Sequence, residues 1–169
     1  ANSAQFPQRT LLIGQKTSSG TASANAPIKV GGASEARTYA GPNSVLAQMA
    51  SAYFANDPAG DVYLLPVDDP SGGVAATATL TFTSAATTNG SFVLYLAGTR
   101  YVLPVLTTQT TTQLAAALVA LVNADPLCPV TASNVGAVVT LTSDNTGKVG
   151  NGHEVWVNYR GAPSGEVLP

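Results

Sequence analysis

The residues in this chain best suited to chemistry are one histidine, one cysteine and three places where acids or glycines crowd together. His153 lies in the turn-like run N-G-H-E. Nucleophilic catalysis needs a base within hydrogen-bond reach of a Ser or Cys, and no G-x-S-x-G elbow occurs in the sequence. His153 therefore reads as a solvated loop histidine. Cys128 stands between Leu127 and Pro129 at a predicted strand, where a small buried hydrophobe fits better than a reactive thiol. One His and one Cys supply too few good ligands for zinc. Asp68–Asp69 is a carboxylate pair, but acid–base work needs carboxylates set across a cleft with separated pKa values. Adjacent acids before Pro70 read as a turn. Calcium would need several oxygens arranged round a loop, and neither D-D-P-S-G-G nor Asp144–Asn145 beside Gly147 supplies that pattern. The run T-G-K-V-G-N-G (146–152) imitates a phosphate loop, but the earlier glycine is absent and Val149 stands where Ser or Thr is required. It reads as a polar hairpin turn. The expectation is no catalytic, cofactor-binding or metal-binding residue, and no cofactor.

Composition points the same way. Charged residues make up 9 % of the 169, against roughly 25 % in an ordinary globular domain. Thr, Ser, Ala, Gly and Asn carry the polarity instead. Such a surface repels its neighbours weakly, which suits dense assembly and a virion or extracellular setting; it equally suits β-strands that expose threonine. A net charge of −2 offers no basic surface for nucleic acid. The aromatic residues are scattered along predicted strands without a basic groove, which favours core over stacking platforms. A single cysteine permits no internal disulfide. The first residues lack the pattern of a signal peptide, and the longest apolar run, 115–122, is far short of a membrane span. The chain is expected to be soluble and made in a cytoplasm.

The elements that must position these residues fall into two unlike halves. Thr10–Ile13 is a short apolar run closed by Gly14, consistent with a buried strand. Pro27–Val30 suggests another, and Ser34 can cap a brief helix through Arg37. Asn43 or Ser44 caps a second helix, with Val45, Leu46, Met49, Ala50, Tyr53 and Phe54 at helical spacing. Pro58 ends it. Asp61–Val67 reads as a buried strand, with Pro66 implying an unpaired end or a sheet edge. Strand, helix, strand makes a βαβ-like unit. The turn cluster 68–73 is the candidate boundary. Beyond it come strands at 77–83, 91–97 and 100–106, the last two joined as a hairpin through a Gly-first turn at Gly98–Thr99. A Thr among 110–112 caps a helix whose Leu114, Leu118, Leu121 and Val122 share one face. Strands at 130–132 and 137–142, a turn at 144–152 and an alternating strand at 154–159 complete the half. Val155, Val157 and Tyr159 fall on one face of that last strand and Trp156 on the other. The expected fold is α+β: a partial βαβ-like core segment, then a module of about six strands with one helix packed on the sheet. The expected division is residues 1–72, 73–160 and a tail at 161–169, with the second half able to fold alone.

Several runs, taken in order, resemble the sheath proteins of contractile phage tails, in particular those of Mu-like phages and prophages. They are R-T-L-L-I-G-Q (9–15), Y-A-G-P-N-S-V-L-A-Q-M (39–49), D-V-Y-L-L-P-V-D-D (61–69), G-V-A-A-T-A-T-L-T-F (73–82), L-Y-L-A-G (94–98), P-V-T-A-S (129–133) and V-V-T-L-T (138–142) with G-N (150–151) behind. No single run is diagnostic; it is their order and spacing together that carry the resemblance. The resemblance implies a structural protein, not an enzyme. It would stack as helical rings round a tail tube, contract to drive the tube through the host envelope, and reside in the virion after assembly in host cytoplasm. It implies other sheath subunits and the tube protein as partners, with no nucleic acid or membrane. Residues 10–67 would open the inner core, and about 74–159 would form a protruding outer module. Sheath proteins are far longer, so the resemblance also implies an N-terminal fragment, monomeric by itself. The rival reading is a virion-surface or secreted β-rich module that binds glycan or receptor, which would show a pocket with an aromatic platform.

Overall fold

A computed structural model describes residues 8–161. Residues 1–7 and 162–169, including most of the expected tail at 161–169, lie outside the described residues. The chain forms two compact units that divide between Gly73 and Val74. Among the described residues there are three α-helices and nine strands in three small sheets, a mixed α+β fold.

The first unit holds β1 (Arg9–Gln15), β2 (Ile28–Val30), α1 (Ala33–Ala40), α2 (Val45–Asn56) and β3 (Asp61–Val67). The sheet order is β1-β3-β2. β1 runs parallel to β3, as a strand–helix–strand unit requires, and β2 runs antiparallel to it. Alternation sends Val62, Leu64, Val30, Leu12 and Ile28 to one face, where they meet Ala36, Ala40, Leu46, Ala47, Ala50 and Phe54 of the helices. Ser44 is the cap of α2: its hydroxyl oxygen accepts from the Ala47 N–H at 3.1 Å and its own proton goes to the Gly41 carbonyl at 2.7 Å. Met49, expected on the buried face, is instead partly exposed, and Ala47 takes its place. The first helix also differs from expectation. Gly32 is its N-cap, with no side-chain cap bond, and it runs on to Ala40. The Glu35 carboxylate reaches back to the Gly31 N–H at 2.8 Å instead, favourable for an acid in a first turn.

One expectation about strands is corrected here, and one pair of alternatives is decided. The run 10–13 is not a fully buried strand: it belongs to a longer β1 whose Leu11 and Ile13 are exposed, because the helices cover only one sheet face. Of the two alternatives for Pro66, the unpaired end holds and the sheet edge does not: it lies in the central strand, beyond the reach of β2. It is tolerated because β2 pairs only with residues 62–64, and the Pro66 carbonyl accepts from the Asn25 N–H at 2.8 Å on that vacated side.

The second unit runs β4 (Ala75–Thr81), β5 (Gly90–Leu96), β6 (Thr99–Val105), α3 (Thr111–Asn123), β7 (Val130–Val135), β8 (Val138–Thr146), a 3₁₀ turn (Lys148–Gly152) and β9 (Val155–Val157). The three-strand, helix, three-strand order matches expectation. The single sheet does not: the strands form two antiparallel sheets, β4-β8-β7 and β6-β5-β9. One core lies among both sheets and α3, built from Phe92, Leu94, Leu103, Leu118, Val139 and Leu141 with their neighbours. Thr110 caps α3 in a full capping box: its oxygen accepts from the Gln113 N–H, and the Gln113 side chain accepts from the Thr110 N–H. At the other end of α3, the Asn123 amide exchanges two 2.8 Å hydrogen bonds with the Ala132 backbone, which satisfies the outer edge of β7.

Turn chemistry explains the remaining differences. In the β5–β6 hairpin Leu96 pairs with Thr99, so the central residues are Ala97 and Gly98, both left-handed at φ 48° and 82°. That matches a type I′ turn, not a Gly-first one. The Gly-first turn is at Gly136 (φ 58°), between Val135 and Val138. The expected polar turn at 144–152 is the end of β8 followed by the 3₁₀ turn. Cys128 precedes β7 in a loop rather than standing in a strand.

Candidate functional site

The residues with chemical potential are each held by structural partners. His153 follows the 3₁₀ turn and donates its N–H to the Gly150 carbonyl at 3.2 Å. Its side chain lines a cleft of about 360 Å³ together with Ser143, Asn151, Leu141, Val130 and Val155. Ser143 is buried, and its hydroxyl donates to the Asn145 carbonyl at 3.0 Å, not to the imidazole. A serine–histidine relay needs that proton directed at the base. Burial pushes the His153 pKa down from 6.5, partly opposed by Asp144. This has a testable sign. The folded state resists protonation more than the unfolded state does, so no penalty exists well above pH 6.5 and one develops as the pH falls below it. His153→Gln, in the only histidine of the chain, should remove that part of the stability loss between about pH 7 and 5 in urea titrations. An unchanged pH profile would refute it.

Cys128 is buried, and burial raises its thiol pKa, which keeps it protonated at neutral pH. Tyr101 donates to the Asp125 carboxylate at 2.8 Å nearby, and burial is the main reason its phenol is raised as well. Asp68 and Asp69 tie the end of β3 to the end of β1. Lys16 lies 3.5 Å from Asp68, and the Gln15 amide donates to Asp69 at 2.7 Å. At the start of β1 and β3, Arg9 and, from β2, Lys29 converge on Asp61 at 3.2 and 2.7 Å. The Lys29 hydrogen bond is the main cause that lowers the Asp61 pKa. Gly147 (φ 90°) donates its N–H to the Val74 carbonyl at 2.9 Å, so the phosphate-loop-like run is a strand end that locks the start of β4. Among the described residues, no group of three or more His, Cys, Asp or Glu is placed to hold a metal. No described helix is long and apolar enough to cross a membrane.

The surfaces are more telling than the clefts. In the first unit, register and alternation place Leu11 beside Tyr63, Ile13 beside Leu65 and Gln15 beside Val67 on the face away from the helices. Leu11 and Ile13 are 51 % and 53 % exposed. Parallel strands are ordinarily covered on both faces, so this face is built for a cover. In the second unit, the outer face of β4-β8-β7 is a hydroxyl lattice. Thr77, Thr142 and Thr131 form one row across the strands, and Thr79, Thr140 and Ser133 form the next. A third row, Thr81, Val138 and Val135, ends at the hairpin tip, where Val135 is 86 % exposed. The charge-poor composition thus has a location. The sequence signalled the threonines by their alternation, but not that three strands would align them.

No family model matches the chain. It is 34 % identical over 161 residues to the Mu-like prophage FluMu tail sheath protein of Haemophilus influenzae. The match takes in 95 % of this chain and 32 % of that relative, so the chain spans about a third of the relative's length. That identity, extending over nearly the whole chain, supports its being a piece of a phage tail sheath protein of the Mu-like kind.

Proposed function

We propose that this chain is a segment of the sheath subunit that polymerises round the tail tube and contracts to drive the tube through the host envelope. It works mechanically, without catalysis, cofactor, nucleic acid or membrane. Its partners are other sheath subunits and the tube protein, in the virion and, before that, in host cytoplasm. The first unit belongs to the inner core of the subunit and the second protrudes from it.

The observation that carries this reading is the bare apolar face of the β1-β3-β2 sheet, around Leu11, Ile13 and Tyr63. Parallel strands such as β1 and β3 are ordinarily covered on both faces, and the matched relative has about two-thirds of its length beyond the aligned part. In the complete subunit, that additional chain supplies the layer. The chain by itself should stay monomeric in sedimentation velocity and form no tubes in negative-stain electron microscopy. In the complete parent protein, Leu11→Lys with Ile13→Lys should abolish tube formation, while this chain carrying the same two changes keeps its circular dichroism. Tubes built by the chain alone would overturn the proposal, and so would normal tubes from the doubly substituted parent.

A further inference from the structure

A cleft of about 350 Å³ lies on the outer face of the β6-β5-β9 sheet, lined by Tyr95, Gly98, Glu154, Trp156, Tyr159 and Arg160. Its floor is aromatic. Tyr95 pairs across the strands with Trp156 on one side and Arg100 on the other. By simple alternation Tyr159 belongs on the opposite face from Trp156, as the sequence suggested. The chain does not allow this, because Asn158 adopts a left-handed conformation at φ 46°. Its N–H donates to the Val93 carbonyl and its side-chain oxygen accepts from the Val93 N–H, both at 2.8 Å. A left-handed non-glycine residue held this firmly is strain retained at a particular place. The bend returns Tyr159 to the Trp156 side, with ring centroids 5.4 Å apart, and to Tyr95 at 6.4 Å. Trp156 is half exposed and Tyr159 more so.

The walls are polar and of both signs. The Glu154 carboxylate accepts from the Trp156 indole N–H at 3.3 Å, which fixes the ring. The Arg160 guanidinium lies 5.8 Å from the Tyr95 centroid, and Arg100 donates to the Tyr95 hydroxyl at 3.3 Å. Gly98 leaves the rim open, since nothing stands within 4 Å of where its Cβ would be.

We propose that this cleft binds a neutral saccharide, a pyranose unit of a glycan. Charge decides against the alternatives: an anion meets Glu154, and a cation meets Arg160. Shape decides against a flat heterocycle, which stacks best in a parallel slot, whereas these rings are inclined at 50° and 77°. A puckered ring presents C–H groups to inclined aromatic faces, and its hydroxyls can donate to Glu154 and accept from the Arg160 guanidinium. The volume falls within the usual range for small-ligand clefts, roughly 300–1,000 Å³. This site is separate from the sheet face invoked for assembly and does not depend on the sheath reading.

Trp156 is the only tryptophan in the chain, so its fluorescence reports on this cleft alone. The test is titration of the protein with linear tetrasaccharides of glucose, galactose and N-acetylglucosamine. At least one should give a saturable change in emission, with a dissociation constant in roughly the millimolar range or tighter. Tyr159→Ala and Arg160→Ala, both at exposed positions, should keep the far-ultraviolet circular dichroism and weaken binding by at least about tenfold. No response to any of the three sugars overturns the proposal. So does a response that survives Tyr159→Ala, or an emission shift that follows protein concentration instead of sugar, which would mark the cleft as a contact between copies.

Discussion

Leu118→Ala is expected to cost the second unit ~2–5 kcal/mol, a large share of a typical domain's total stability of ~5–15 kcal/mol. Leu118 is fully buried at the middle of α3, in the core that both sheets share. Truncation loses transfer free energy and leaves a cavity whose walls come from separate sheets and cannot easily close. The measurement is urea unfolding followed by Trp156 emission, with circular dichroism alongside. The midpoint should fall clearly while the slope is retained. Leu121→Ala is the control: Leu121 only flanks the core, so the loss there should be distinctly smaller. Equal effects at the two positions would mean that α3 is not docked as described.

Gly41→Ala should be nearly as damaging, for a different reason. Gly41 closes α1 at φ 90° and ψ 130°, a region that strains any residue with a side chain. A Cβ there would also come within 2.1 Å of Thr17 Oγ1 and 2.7 Å of Ser19 Oγ. Backbone strain and overpacking each cost ~1–3 kcal/mol, so ~2–6 kcal/mol together is expected from thermal or urea unfolding. The two contributions can be separated. Thr17→Ala removes the closest clash but not the backbone strain, so Thr17→Ala combined with Gly41→Ala should recover only part of the loss. Full recovery would show that φ contributes nothing.

These two positions also show what the sequence could and could not reveal. α2 and α3 were readable because their caps and apolar spacing are local: S-V-L-A places the Ser44 hydroxyl over the first turn, and T-T-T-Q-L does the same for Thr110. The sequence left the α3 cap among residues 110–112, and the capping box that selects Thr110 is seen in the structure. The α+β class followed from those helices and the alternating runs around them. What escaped was decided at long range. Two sheets rather than one depend on β4 choosing β8 across more than fifty residues of chain, a choice that alternation does not encode. The exposure of Leu11 and Ile13 depends on which face the helices take, and an apolar run looks the same whether it is covered on one side or two.

The cleft residues illustrate the point most sharply. Glu154, Trp156, Tyr159 and Arg160 were all visible as a strand and its continuation, and period-2 reasoning separated Trp156 from Tyr159. The reversal at Asn158 exists because Val93, far away in sequence, offers both a donor and an acceptor. Asparagine's tolerance of left-handed backbone was the one available signal, too common in loops to have been read as a bend. His153, by contrast, has the local sequence of a solvated loop residue yet lies partly buried in a cleft wall, directly after the 3₁₀ turn.

The segment between β1 and β2 has the makeup of a tether, yet it is sewn to the end of α1. Thr17, Thr21 and Ala22 give their amide protons to the carbonyls of Ala40, Thr38 and Tyr39, which the helix itself leaves unsatisfied. In deuterated solvent those three amides should keep their protons long after the neighbouring positions 18, 19 and 23 have lost theirs. A Gly/Ser/Thr stretch of this kind is a poor place for an inserted tag or fusion, since splitting it would unstitch a helix end rather than lengthen a loop.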